Sequence, residues 1–143
     1  MPACSWDWYK NILGSPKYIV APMVDQSELP WRILSRRYKS QLCYTPMINA
    51  RIFKDDAKYR ADNFSTNKDD RPLIAQFCAN DPDVFIEACK LIQGDCDGVD
   101  LNLGCPQGIA KRGHYGSFLQ DEWELIAKLV SKAHKELDVP IVI

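Results

Sequence analysis

Apolar positions along this chain follow two alternating rhythms. Residues 17–24, KYIVAPMV, form a continuous apolar run ending at Pro22-Met23, which predicts a buried strand. In 29–39, LPWRILSRRYK, Trp31, Leu34 and Tyr38 recur at helical spacing and Pro30 suits a first turn. QLCYTPM (41–47) predicts a second strand, and the polar stretch 51–70 a loop with a short helix. RPLIAQFC (71–78) predicts a third strand. Asp81-Pro82 then offers an N-cap followed by proline at the first helical position, with Phe85, Cys89 and Ile92 on one face. DGVDLNLG (97–104) predicts a fourth strand. Asp121 and Glu124 have capping-box spacing, and Leu125, Ile126, Leu129, Val130 and Ala133 form the apolar stripe behind them. VPIVI (139–143) opens a fifth strand.

Strands alternating with helices predict βαβ units and a parallel sheet, an α/β fold. Two architectures fit: a doubly wound open sheet, or the N-terminal portion of a (β/α)₈ barrel, which needs about 250 residues when complete. The strand faces favour the barrel. Leu73, Ala75 and Phe77 share one face of the third strand, and Ile74, Gln76 and Cys78 the other. Val99, Leu101 and Leu103 share one face of the fourth, and Asp100, Asn102 and Gly104 the other. Gln76 and Asn102 thus project opposite the apolar rows, near strand C-termini, where parallel α/β folds place their sites. An open sheet wants both faces apolar. The first βα turn also lacks the G-x-G-x-x-G of a dinucleotide-binding fold.

Composition adds constraints. The chain has 143 residues, 46% of them hydrophobic, which is enough for one domain with a real core. Its net charge of -1 gives no global basic field, so any nucleic-acid binding must come from a local patch. Six cysteines, at 4, 43, 78, 89, 96 and 105, include no C-x-x-C pair. That predicts reduced thiols, no metal site, and a cytoplasmic or nuclear location. MPACSWDWYK lacks the pattern of a signal peptide. No apolar run approaches the roughly 20 residues of a membrane span.

Three groups can carry chemistry. Cys105 lies between Gly104 and Pro106, just past a strand end. Proline biases it toward extended backbone, and glycine admits close approach. A thiol with an ordinary pKa near about 8.5 is protonated at neutral pH and can act as a general acid; the plainer alternative is a small buried hydrophobe. The amides of Asn102 and Gln76 donate and accept, which suits the edge of a pyrimidine or flavin, or simply a satisfied polar core. Lys111, Arg112 and His114 form a tight basic cluster suited to phosphate, or a solvated loop. Arg36-Arg37 is expected on an exposed helix face, and Asp100 is assigned no role.

APMVDQSELPWRILSRRY, YTPM, PLIAQFCANDP, DGVDLNLGCP and KRGHYG occur here in the order found in tRNA-dihydrouridine synthases. Over residues 18–143 the chain resembles the N-terminal half of that family's catalytic barrel, with 1–17 as an N-terminal extension. CANDP, GCPQ and KRGHYGSFLQDEW are most similar to the eukaryotic subgroup acting on positions sixteen and seventeen of the tRNA D-loop. The resemblance implies an FMN-dependent barrel with a helical C-terminal domain, NADPH as reductant and tRNA as substrate. It implies hydride transfer from the flavin N5 to C6 of a flipped-out uracil, with a cysteine protonating C5. By that resemblance Cys105 is the acid, Asn102 stands beside the uracil, and Lys111 and Arg112 lie near tRNA. Pro22, Met23, Val24 and Gln76 then line the flavin. The family's later flavin-contacting lysine, its histidine and its phosphate loops fall beyond a fifth strand. The expectation is therefore a truncated chain, inactive alone. Two alternatives stay open: a non-catalytic fragment that binds tRNA or a partner, and a flavin barrel acting on free dihydropyrimidines.

Overall fold

A computed structural model describes residues 5–143; Cys4 lies outside that range. A turn α1 (Ser5–Asp7) runs into a π-helical turn, Trp8–Ile12. Then follow β1 (Ile19–Val20), α2 (Leu29–Arg37), β2 (Leu42–Tyr44), β3 (Ile48–Asn49), α3 (Ala50–Asp55) and α4 (Ala57–Asn63). The remainder is β4 (Leu73–Cys78), α5 (Pro82–Lys90), β5 (Gly98–Leu101), α6 (Gly108–Gly113), a 3₁₀ turn Gly116–Leu119, α7 (Trp123–Glu136) and β6 (Ile141–Val142). No helix among the described residues is long and apolar enough to cross a membrane.

All strand pairs are parallel, in the order β1-β2-β4-β5-β6 with β3 also beside β4. Spatial order follows chain order without the reversal that defines a doubly wound sheet. The helices confirm this. Phe53 of α3, Phe85 and Cys89 of α5, and Leu129 and Ala133 of α7 join Cys43, Leu73, Ala75, Phe77, Val99 and Leu101 in one core on one face of the sheet. The opposite face carries Leu42, Tyr44 and Ile74, covered at its base by Trp8 and Leu13. One helical face and one inner face describe part of a (β/α)₈ barrel.

Trp8 is tied in by its indole N–H, which donates to Asp97 O at 2.8 Å. The Asp97 carboxylate accepts Leu73 N–H at 2.7 Å and pairs with Arg71, locking the bases of β4 and β5 together. Asp81 caps α5 as expected, accepting from Asp83 N and Val84 N.

Several local expectations are corrected. The polar 51–70 stretch holds two helices, α3 and α4, capped by Asn49 and Asp56. Helix α7 is capped at Glu122, not Asp121, and without a side-chain bond, because the Glu122 carboxylate is held by His114 Nε2 at 2.5 Å. Arg36 is not exposed: it donates to Asp70 and to Pro72 O. Helix α2 is anchored by Arg32, buried against the fully buried Asp70, whereas Trp31, Leu34 and Tyr38 face outward. They flank β1, an edge of the sheet, where a closing barrel element would cover them.

Candidate active site

The site grows from a break between β2 and β3. Tyr44 pairs with Ile74, but Ile48 pairs with Phe77, so the β2–β3 segment carries one extra residue against β4. This is a bulge. Pro46 has no N–H, and Thr45 fills the gap: its hydroxyl accepts Gln76 N–H at 3.0 Å and donates to Pro46 O at 2.9 Å. The distortion thus sits opposite Gln76.

From Gln76 a chain of amides leads to the thiol. Gln76 Nε2 donates to Asp100 Oδ2 at 2.6 Å, and Asn102 Nδ2 donates to Gln76 Oε1 at 3.3 Å. Asn102 Oδ1 accepts the backbone N–H of Cys105 at 3.0 Å and of Gly104 at 3.2 Å. The predicted strand stops at Leu101, earlier than expected, but Asn102 N–H still bonds Phe77 O at 2.8 Å. Gln76 and Asp100 are both 6% exposed. Burial holds the Asp100 carboxyl above its usual range, and the Gln76 bond draws it partly back. The phenol of Tyr44 is raised by burial and by the Asp100 charge.

Cys105 is clamped from its other side. Ser117 donates to Cys105 O from both N–H and hydroxyl, each at 3.1 Å. Gly116 makes that approach possible. Its φ is +66°, and a Cβ there would stand 2.6 Å from Cys105 O. At Gly113 a Cβ would overlap the Tyr115 ring. The glycines of KRGHYG are therefore close-approach positions. Cys105 packs beside Cys78, Ala110 and Tyr115. Of the five described cysteines, Cys105 alone is half-exposed; the others are buried. Burial pushes the Cys78 thiol up to about 12, leaving it inert.

Gln76, Asn102 and Cys105 are thus brought together. Lys111 and Arg112 stand exposed on α6, whose Ala110 packs into the same cluster as Cys105. His114, at φ +54°, is drawn away to Glu122, so the basic cluster reduces to two residues. Pro22, Met23 and Val24 are not beside Gln76. β2 separates β1 from β4, a gap of about 10 Å at two strand spacings. Their loop is nonetheless fixed: Met23 N–H donates to Ser27 Oγ and the Ser27 hydroxyl donates to Met23 O, both at 2.9 Å. Buried Arg32 holds Ser27 O at 2.7 Å. Sequence reasoning missed Thr45, Asp100, Ser27 and Ser117. Only Asp100 left a signal, a carboxylate on the same strand face as Asn102; its register with Gln76 emerges only in the sheet. Among the described residues no group of three His, Cys, Asp or Glu is placed to hold a metal.

Residues 19–143 match the model of the family "Dihydrouridine synthase (Dus)". A mouse protein named tRNA-dihydrouridine(16/17) synthase [NAD(P)(+)]-like is 56% identical over 138 residues, 95% of this chain and 29% of that protein. The Saccharomyces cerevisiae tRNA-dihydrouridine(16/17) synthase [NAD(P)(+)] is 61% identical over 132 residues, 90% of this chain and 31% of that protein. A human tRNA-dihydrouridine(20a/20b) synthase [NAD(P)+]-like is 40% identical over 122 residues, 85% of this chain and 38% of that protein. The chain therefore spans about a third of the length of these relatives. With its parallel sheet and, among the described cysteines, one half-exposed thiol past the C-terminal end of β5, the chain belongs to the dihydrouridine synthase family.

Proposed function

We propose that this chain carries the proton-donating part of an active site that reduces uridine to dihydrouridine in the tRNA D-loop. Positions sixteen and seventeen are the favoured targets, as the names of the mouse and yeast relatives suggest. One observation carries the reading. The half-exposed thiol is fixed past a strand C-terminus by an asparagine that joins it to the buried Gln76–Asp100 pair.

A flavin fits the residues present. Gln76 keeps one N–H and one lone pair beyond its internal bonds. A Cβ on Gly104 would meet nothing within 4 Å, so the space beside Cys105 is open. A polycyclic ring is the size needed to reach from the Met23 loop to Gln76. Pro22, Met23, Val24 and Gln76 would hold FMN, which, reduced by NADPH, supplies the hydride that no side chain can. Cys105 Sγ–H donates its proton to C5 of the uracil. Asn102 fixes the backbone at Cys105 and, with its amide edge, orients the base. Lys111 and Arg112 meet the RNA phosphates. Extracting the base from its stack costs a few kcal/mol, which a preformed slot offsets. A reducing compartment, cytoplasm or nucleus, suits the free thiols.

The test is a chimera in which this chain replaces the matching segment of the yeast relative. We expect dihydrouridine in unmodified tRNA with NADPH, and its loss in the Cys105→Ala chimera with tRNA binding kept. A wild-type chimera that binds tRNA but never reduces it points to a binding module instead.

A further inference from the structure

One pocket at the C-terminal end of β3 and β4 has no part in the reduction described above. Its volume is about 210 Å³, and its walls include Asn49, Arg51, Cys78, Asn80 and Tyr115. Pockets for drug-sized ligands run to about 300–1,000 Å³. This one, with room for about seven waters at ~30 Å³ each, suits a single heterocyclic ring.

Its chemistry is specific. Asn49 Oδ1 accepts Ile52 N–H at 3.2 Å, which leaves the amide Nδ2 as a donor. Asn80 Nδ2 donates to Gly113 O at 3.2 Å, which leaves Oδ1 as an acceptor. Arg51 is exposed and pairs with no carboxylate among the described residues. A donor and an acceptor match a base edge, and a guanidinium matches a phosphate or a ring face. The pocket also shares a wall with the thiol. Cys78 and Tyr115 line it and pack in the same cluster as Cys105. Proteins that read RNA loops splay their bases and bind them one by one.

We propose that this pocket takes the base of the nucleotide adjacent to the reduced uridine, with Arg51 on its phosphate. The proposal rests on the tRNA reading given above and adds to it a second point of base recognition. It makes the enzyme sensitive to the identity of the target's neighbour.

A coupling measurement tests this, on the full chain and on the yeast chimera in parallel. Unmodified tRNA is compared with transcripts carrying one abasic nucleotide at each D-loop position in turn, with binding read by fluorescence anisotropy. The variants are Arg51→Gln and Asn49→Asp. The second keeps an oxygen to cap α3 while removing the donor. We expect one abasic site beside the target uridine to weaken wild-type binding about tenfold, or ~1.4 kcal/mol. The same lesion should cost Asn49→Asp less than about twofold, the mark of a direct pair, whereas Arg51→Gln, which loses a contact to the phosphate that the abasic nucleotide keeps, should bind more weakly throughout and still lose about tenfold. If no position couples to Asn49 while Asn102→Ala still couples to the target uridine, the pocket assignment is wrong and the tRNA reading stands. If wild type binds no tRNA in either setting, both are wrong.

Discussion

Replacing Gly116 by alanine should disable the site while leaving the fold standing. The backbone at Gly116 has φ +66°, a left-handed conformation that costs an L-residue about 1–2 kcal/mol. The added Cβ would lie 2.6 Å from Cys105 O and 3.0 Å from Cys105 Cβ, so the two backbones must part by several tenths of an ångström. Parting strains both Ser117 bonds to Cys105 O, each worth about 0.5–1.5 kcal/mol net. The total, about 2–5 kcal/mol, is at or below the roughly 5–15 kcal/mol of a typical domain. Turnover is the more sensitive readout, because a misplacement of about 1 Å costs ~100-fold. Gly14→Ala is the control: its φ is +74°, but nothing lies within 4 Å of the new Cβ. Urea unfolding should show both variants destabilised, Gly14→Ala by only about 1–2 kcal/mol. Dihydrouridine formation in the chimera should collapse for Gly116→Ala alone. Wild-type turnover by Gly116→Ala, or equal losses in both variants, would refute the clamp.

Cys105→Ala should lower dihydrouridine formation by roughly 10²–10⁴-fold, the usual cost of a lost general acid, with tRNA affinity unchanged; equal turnover removes Cys105 from the chemistry. Asp100 is held above the ordinary carboxylate range, so the folded chain binds that proton more tightly than the unfolded one. Stability therefore falls as pH rises from the ordinary value through the raised one, and stays lower above it. Asp100→Asn should flatten that fall and melt higher at neutral pH; an unchanged profile in urea titrations acquits Asp100. Arg32→Ala strips the main partner from the fully buried Asp70 and should cost about 3–5 kcal/mol in urea unfolding; a loss below 1 kcal/mol on the same scale means Arg36 suffices as partner. Charge reversal at Lys111 and Arg112 should weaken tRNA binding, less so as salt rises, with flavin content unchanged; a salt-independent loss indicates misfolding.

The parts of this fold legible in the sequence are those where a residue's own neighbours in the chain decide its place. Asp81-Pro82 caps α5 as its spacing predicts, and the row Ile74, Gln76, Cys78 faces away from Leu73, Ala75 and Phe77 because a strand allows nothing else. The parts that stayed hidden depend on partners far along the chain. Nothing near Thr45 announces the one-residue slip against β4, since register is a property of two strands. Arg36 reads as exposed because arginine usually is, yet its partner Asp70 lies 34 residues away. Asp121 has the right spacing for a cap, but the carboxylate beside it was claimed by His114. KRGHYG reads as a basic, solvated loop; its two glycines are instead required by contacts to Tyr115 and Cys105.

That last case explains why the motif and the cysteine belong together. GCP alone places a thiol past a strand end, and an unrestrained turn there would leave its Sγ free to wander. Asn102 fixes the N-terminal side of Cys105 through its N–H, and Ser117, brought in by Gly116, fixes the other side through its carbonyl. Both backbone groups of one residue are thus held by side chains or loops 3 and 12 positions away. The thiol between them is left half-exposed, while Cys78 behind it is buried and its thiol is pushed up to about 12, so it stays protonated and closed to ligands. A proton donor needs that combination of fixed backbone and open sulfur, and nowhere else among the five described cysteines is it found.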